Sequence, residues 1–180
     1  MTQNNSIDVT TIGNAIVDII AQCNDNFLEE FKIIKASMDL IDEQRSKTLF
    51  DNLEEPKIIS GGSAANTAVG IAALGSKAAF IGKVKNDELG NTFKDDIQKV
   101  GVSFNTALEN DGPRTASSII LVTPDAERSM NTFLGACVNL DVQDLDENLI
   151  KNSKIVYLEG YLFDPPKAKE AFIKAAEIAK

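Results

Sequence analysis

The sequence predicts an α/β fold, a mostly parallel sheet covered by helices, and three observations predict it. Short β-branched runs alternate with segments of helical spacing along the 180 residues. One such run passes directly into Gly61-Gly62 and then into an alanine-rich helix that stops at Gly75. Around residues 111–133 the rhythm gives way to turn signals and alternating strands, which reads as an antiparallel insert in the α/β frame.

Taken in order, residues 7–12 form a short strand ending at Gly13-Asn14, and residues 16–21 resume a strand with Asp18 inside it. Residues 38–41 are extended, and Asp42 is placed to cap a helix running to about Leu53. Residues 57–60 read as a buried strand feeding the glycine pair and the helix 63–74. A strand at 78–84 follows, then a helix from Asp87 to Val100 with apolar positions Leu89, Phe93, Ile97 and Val100, closed by Gly101. Residues 115–123 and 128–133 make the insert's strands. The frame returns with a helix at 141–150, a strand at 154–158 and a last helix with Asp164 as N-cap and Pro165 at its first position. Four parallel strands are expected. The last helix meets no stop signal before Lys180, so the C-terminal part of the fold is expected to lie beyond it.

Composition narrows the chemistry. A net charge of −9 removes the positive field that phosphate-backbone recognition needs, so nucleic acid is not an expected partner. No apolar run is long enough to cross a membrane, and the polar start, Met1 to Ser6, has no signal-peptide pattern; a cytoplasmic protein is expected. The two cysteines, Cys23 and Cys137, make no disulfide framework. With no histidine, Ser-His-Asp and Cys-His catalysis and the commonest transition-metal sites are excluded as complete sets within these residues.

Four positions stand out. Gly61-Gly62-Ser63-Ala64-Ala65-Asn66 follows a strand and opens a helix, where bare backbone, free helix amides and the Asn66 amide can meet a polyhydroxyl ligand. The same stretch also suits a tight turn with a small-residue helix packed on the sheet. It lacks the Gly-Lys-Ser/Thr of a Walker A loop and the Gly-x-Gly-x-x-Gly of a dinucleotide fold. Asp18 is a carboxylate in an apolar strand, needing either a partner or an exposed face. Glu159 stands at the carboxyl end of a strand, where α/β sheets bind ligands, although a loop carboxylate is also commonly just solvated. Arg128 opens a hairpin strand and either meets an anion or is solvated. Asp144, Asp146 and Glu147 have no metal-loop spacing and load a helix start with favourable charge.

In this order the positions resemble the ribokinase and adenosine kinase family, the PfkB-type carbohydrate kinases. Gly13-Asn14-Ala15-Ile16-Val17-Asp18 is similar to the family's opening strand, Gly61 to Asn66 to its first signature, Glu127-Arg128-Ser129 to its lid-to-core passage, and Leu158-Glu159-Gly160 to a sugar-contacting strand end. The resemblance implies a ribokinase-like three-layer sandwich with a small β-sheet lid built from segments at about 14–23, 34–41 and 114–133. It also implies transfer of the ATP γ-phosphoryl group to a hydroxyl of a sugar or nucleoside, with Mg2+ accompanying ATP. Asn14, Asp18, Gly61, Gly62, Asn66 and Glu159 would hold the acceptor, Arg128 would lie near the phosphate, and Ile16, Met38 and Leu40 would cover a base or sugar ring. Eukaryotic adenosine kinases carry a small residue where Glu159 stands, so nucleoside and free sugar both remain open. The family's Asp-Thr-x-Gly-Ala-Gly-Asp signature is absent from the 180 residues. The chain alone is therefore expected to lack kinase activity. A homodimer through the lid, a non-catalytic sugar- or nucleoside-binding module, and an interaction domain without a ligand are the other expectations.

Overall fold

The structure is a computed structural model that describes residues 7–180; the polar start, 1–6, whose lack of a signal pattern was noted above, lies outside them. The strands are β1 Ile7–Ile12, β2 Ile16–Gln22, β3 Met38–Leu40, β4 Lys57–Gly61, β5 Ala78–Ile81, β6 Ala116–Val122, β7 Arg128–Phe133 and β8 Ser153–Leu158. The helices are α1 Asp25–Glu30, α2 Glu43–Phe50, α3 Ser63–Ala73, α4 Glu88–Lys99, α5 Glu147–Lys151 and α6 Pro166–Ile178. Two sheets form. The first, ordered β5-β1-β8, is parallel throughout. The second, ordered β3-β7-β6-β2-β4, mixes parallel pairs (β2 with β6, β3 with β7) and antiparallel pairs (β2 with β4, β6 with β7).

Layering follows from which faces are apolar. On one face of the parallel sheet α3 lays Ala64, Ala65 and Ala68 close against β1 and β5. Beside it Phe80, Phe93 and Phe104 meet at centroid distances of 5.5–5.8 Å, joining β5, α4 and the loop after it. Each such buried ring stabilises the fold by roughly 1.5–3 kcal/mol through area removed from water. On the other face Ile12, Ile81, Leu140, Ile150 and Phe172 form a second core beneath α5 and α6. Helix, sheet and helix make three layers.

The ends of α3 and α4 are set by local chemistry. Each is followed by a glycine at positive φ, Gly75 (φ 88) and Gly101 (φ 90), in the left-handed conformation that closes a helix without Cβ strain. After α3, Gly75 N–H bonds Ala72 and Ser76 N–H bonds Ile71 at 2.9 and 3.2 Å, satisfying the last carbonyls. Asp42 caps α2 through Arg45 N–H at 2.7 Å, and Asp87 caps α4 through Gly90 N–H at 2.8 Å.

Several expectations are corrected. The parallel sheet has three strands here, because Lys57–Gly61 leaves the frame and pairs antiparallel with β2 at the edge of the second sheet. Its sequence, strand then glycine turn then helix, is locally identical to a parallel βα unit. The helix expected at 141–150 is broken. Asp141 caps a 3-10 turn at Val142–Asp144, Leu145 turns extended (ψ 123), and Asp146 caps α5 separately through Leu149 N–H at 2.9 Å. The last helix is capped by Pro165 rather than Asp164, one residue later than expected. Helix α2 stops at Phe50 rather than Leu53, and α1, capped by Asn24 through Phe27 N–H at 2.9 Å, was not foreseen.

Candidate functional site

A cavity of about 830 Å³ lies between the second sheet and the carboxyl end of the parallel sheet. Its floor comes from three places that the topology brings together: Asn14 between β1 and β2, the start of α3 with Gly62, Ser63 and Asn66, and Glu159 just after β8. Its roof is one face of the second sheet, with Ile16 and Asp18 from β2, Met38 and Leu40 from β3, Ser118 from β6, and Met130 and Thr132 from β7. Leu134, Val138 and Tyr161 close the sides.

The floor is held by a buried carboxylate. Glu159 is only 5% exposed; its Oε2 accepts the Asn14 N–H at 3.1 Å and its Oε1 accepts the Ser63 hydroxyl. Desolvation raises its pKa above the ordinary carboxylate value, and the Asn14 N–H only partly offsets this. One residue thus ties the β1–β2 turn, the start of α3 and the end of β8. Asn14 is 6% exposed, and its Oδ1 is buried without a hydrogen-bond partner among the described residues. An orphaned buried acceptor costs free energy, which a donor group on a ligand recovers.

The two glycines do different work. Gly62 stands at φ 93, a conformation that disfavours a side chain, and a Cβ there would strike the Asn14 carbonyl. It is the N-cap of α3, whose first amides have no side-chain cap. Gly61 lies under the Asp18 carboxylate: a Cβ would stand 2.5 Å from Asp18 Cγ. Asp18 therefore occupies the space a larger residue would fill. It has no cationic partner among the described ion pairs, and burial raises its pKa.

Of the ten residues singled out in sequence, the cavity brings together Asn14, Ile16, Asp18, Met38, Leu40, Gly62, Asn66 and Glu159, with Gly61 immediately behind Asp18. Met38 and Leu40 remain 58% and 64% exposed, so they cover the opening rather than pack into a core. Arg128 is not among the lining residues. It pairs opposite Val122, whose β2 neighbour is Gln22, six residues along from Ile16, or about 20 Å at the rise of a strand. Sequence reading missed Ser63 as a partner of Glu159, and it missed Ser118, Met130 and Thr132. The signal for the last three was the two-residue period of β6 and β7, which puts 118 and 120, and 130 and 132, on one face. Among the described residues no group of three or more His, Cys, Asp or Glu side chains is arranged to hold a metal ion, and no helix is long and apolar enough to cross a membrane.

The chain is similar to known proteins over this same region. The family model described as pfkB family carbohydrate kinase matches residues 31–180. A 5-dehydro-2-deoxygluconokinase of Clostridium perfringens is 34% identical over 123 residues, 67% of this chain and 36% of its own length. Two solved structures superpose with a TM-score of 0.88 over 97% of the chain: a probable sugar kinase from Rhizobium etli, 50% identical, and an adenosine kinase from Sinorhizobium meliloti, 53% identical. The chain spans 53% of each of those two.

Proposed function

The chain belongs to the pfkB family of carbohydrate kinases, and from that premise we propose that its cavity is the acceptor half of a kinase site, serving ATP-dependent phosphoryl transfer to a hydroxyl of a sugar or nucleoside. The observation that carries this reading is the pairing of an orphaned acceptor, Asn14 Oδ1, with an uncompensated carboxylate, Asp18, across one cavity. Hydroxyl groups answer both needs at once. Asp18 accepts from two neighbouring hydroxyls, Asn14 accepts from a third group, and Asn66 and the α3 amides donate to ligand oxygens.

In the transfer, the acceptor hydroxyl gives its proton to a base as its oxygen forms a bond to the γ-phosphorus, the bond from that phosphorus to the β–γ bridging oxygen breaks, and ADP leaves. The cavity residues orient that hydroxyl; most of the rate comes from such positioning. Glu159 acts one step back, because both its oxygens already engage Asn14 and Ser63. The second sheet serves as the lid, with Ile16, Met38 and Leu40 excluding water from the acceptor. Arg128, at the far tip of β7, reaches phosphate only if the lid folds down.

Among the described residues no three or more His, Cys, Asp or Glu side chains gather to hold a metal ion, and the family resemblance assigns the base and the anion hole to the Asp-Thr-x-Gly-Ala-Gly-Asp signature, which these 180 residues do not contain. The 180-residue chain is accordingly expected to bind an acceptor without turning it over, as a cytoplasmic enzyme's half site. Calorimetry of the chain against a panel of sugars and nucleosides tests this. Saturable binding of at least one, lost in Asp18→Ala, supports the reading; silence toward the whole panel rejects it. A non-catalytic binding module shares the binding result and differs when the sequence is extended: it forms no phosphorylated product with ATP.

A further inference from the structure

The roof of the cavity is not uniformly apolar. Register sets Asp18 opposite Ser118 and Ser118 opposite Thr132, so three polar side chains stand in one line across β2, β6 and β7. Neighbouring strands are about 4.8 Å apart, so the line runs roughly 10 Å from the carboxylate to the threonine. Bulky apolar side chains border it on both sides, Ile16 and Leu134 on one flank and Met130 and Met38 on the other, and Leu40, opposite Thr132, closes its end. The small hydroxyl residues thus floor a trough between two apolar ridges.

Ser118 and Thr132 are 3% and 7% exposed, and their hydroxyls lie 2.9 Å apart. A bond between two hydroxyls uses one hydrogen. The second hydrogen and the remaining lone pairs make no other bond among the described residues, although both groups line the cavity. In an apolar trough such capacity is costly to leave unmet.

We propose that Ser118 and Thr132 read a hydrogen-bonding ring edge on the acceptor, selecting a nucleoside-like molecule, hydroxylated at one end and heteroaromatic at the other, over a free sugar. The proposal rests on the acceptor reading of this cavity. An acceptor anchored by hydroxyls at Asp18 meets the Ser118–Thr132 pair only if it carries a further polar group between about 5 and about 10 Å away. A single sugar ring reaches only the near end of that range, whereas a base attached to the sugar spans it. A flat ring standing edge-on lays its two apolar faces against the ridges and its polar edge on the trough floor. Discrimination of this kind is strong, because a ligand lacking the edge leaves buried hydroxyls unpaired.

The experiment is calorimetric titration of the chain with adenosine and with D-ribose, for the native sequence and for Ser118→Ala, Thr132→Val and Thr132→Ser. Adenosine is expected to bind the native chain at least about tenfold more tightly than ribose. Ser118→Ala and Thr132→Val are expected to weaken adenosine by about 5- to 50-fold, leaving ribose unchanged, while Thr132→Ser keeps native affinity. Thermal unfolding of each variant verifies that it is folded, and Ser118→Ala carries the test if Thr132→Val is not. Equal adenosine affinity in native and alanine or valine chains overturns the proposal, as does an equal loss for both ligands. Ribose binding without adenosine binding overturns it and leaves the acceptor site intact; binding of neither overturns both.

Discussion

Glu159 and Gly13 occupy a space that admits only one of them with a side chain: a Cβ on Gly13 would strike Glu159 Oε2 and stand 2.6 Å from the Ala64 Cβ. Neither neighbour has room to give, for Glu159 is 5% exposed and Ala64 wholly buried. Gly13→Ala is expected to destabilise the fold by about 1–3 kcal/mol through overpacking, and to weaken ligand binding by displacing the carboxylate that orders Asn14 and Ser63. Chemical denaturation and calorimetry read the two effects. Native stability in the variant would show that Glu159 swings away freely.

Asp18 and Glu159 both have pKa values raised by burial from their ordinary values of 3.8 and 4.5. In each case the folded chain holds the proton more tightly than the unfolded chain. The contribution of these two groups to stability is therefore greatest below the ordinary values, falls as pH rises from them toward the raised folded values, and stays lowered above. Asp18→Asn removes one such penalty and is expected to raise the melting temperature at pH 7 while losing about 1–3 kcal/mol of acceptor affinity. A melting temperature that falls, or that rises equally at pH 3, contradicts this assignment.

The chain passes between the two sheets four times, and at two places a glycine of one passage packs on a carbonyl of another. Gly62 packs on Asn14, and Gly135, at φ 46, packs on Arg114, whose carbonyl also accepts the Ala136 N–H at 2.9 Å. Gly135→Ala is expected to cost about 1–3 kcal/mol from strain and overlap combined. Urea titration measures it, and a loss below about 0.5 kcal/mol would mean that the crossing relaxes at little cost.

Arg128 lies six strand positions, about 20 Å, along the second sheet from the Ile16 end of the cavity's roof. Arg128→Ala in this chain is expected to leave acceptor affinity within about twofold of native, a surface substitution's usual reach. A larger loss by calorimetry would place the β7 tip over the ligand.

The α/β class, both sheets' strands and most helix caps were legible in the sequence, because their causes are local: Asp42, Asp87, Gly75 and Gly101 act within a few residues of themselves. Of the residues that line the cavity, Asp18, Gly62, Asn66 and Glu159 stood out in the sequence as a carboxylate inside an apolar strand, a glycine turn with the helix after it, and a carboxylate at a strand end, and Asn14 stood out through the family resemblance. The partner of strand β4 was not legible, since nothing in Lys57–Gly61 distinguishes pairing with β2 from pairing with a core strand. Ser118 and Thr132 escaped for a related reason. A serine or threonine in a strand is ordinary, and its meaning came only from the register that lined it up with Asp18.

That register also orders events in time. The central pair of the second sheet matches Ile16 with Ala116, so β2 has no neighbour on that side until a chain of a hundred residues has closed on itself. Closing so long a loop is entropically slow compared with zipping the β6–β7 hairpin or winding α3. As the polypeptide emerges, Asp18 is made a hundred residues before Ser118, and the trough beside it is complete only once β6 and β7 have joined β2.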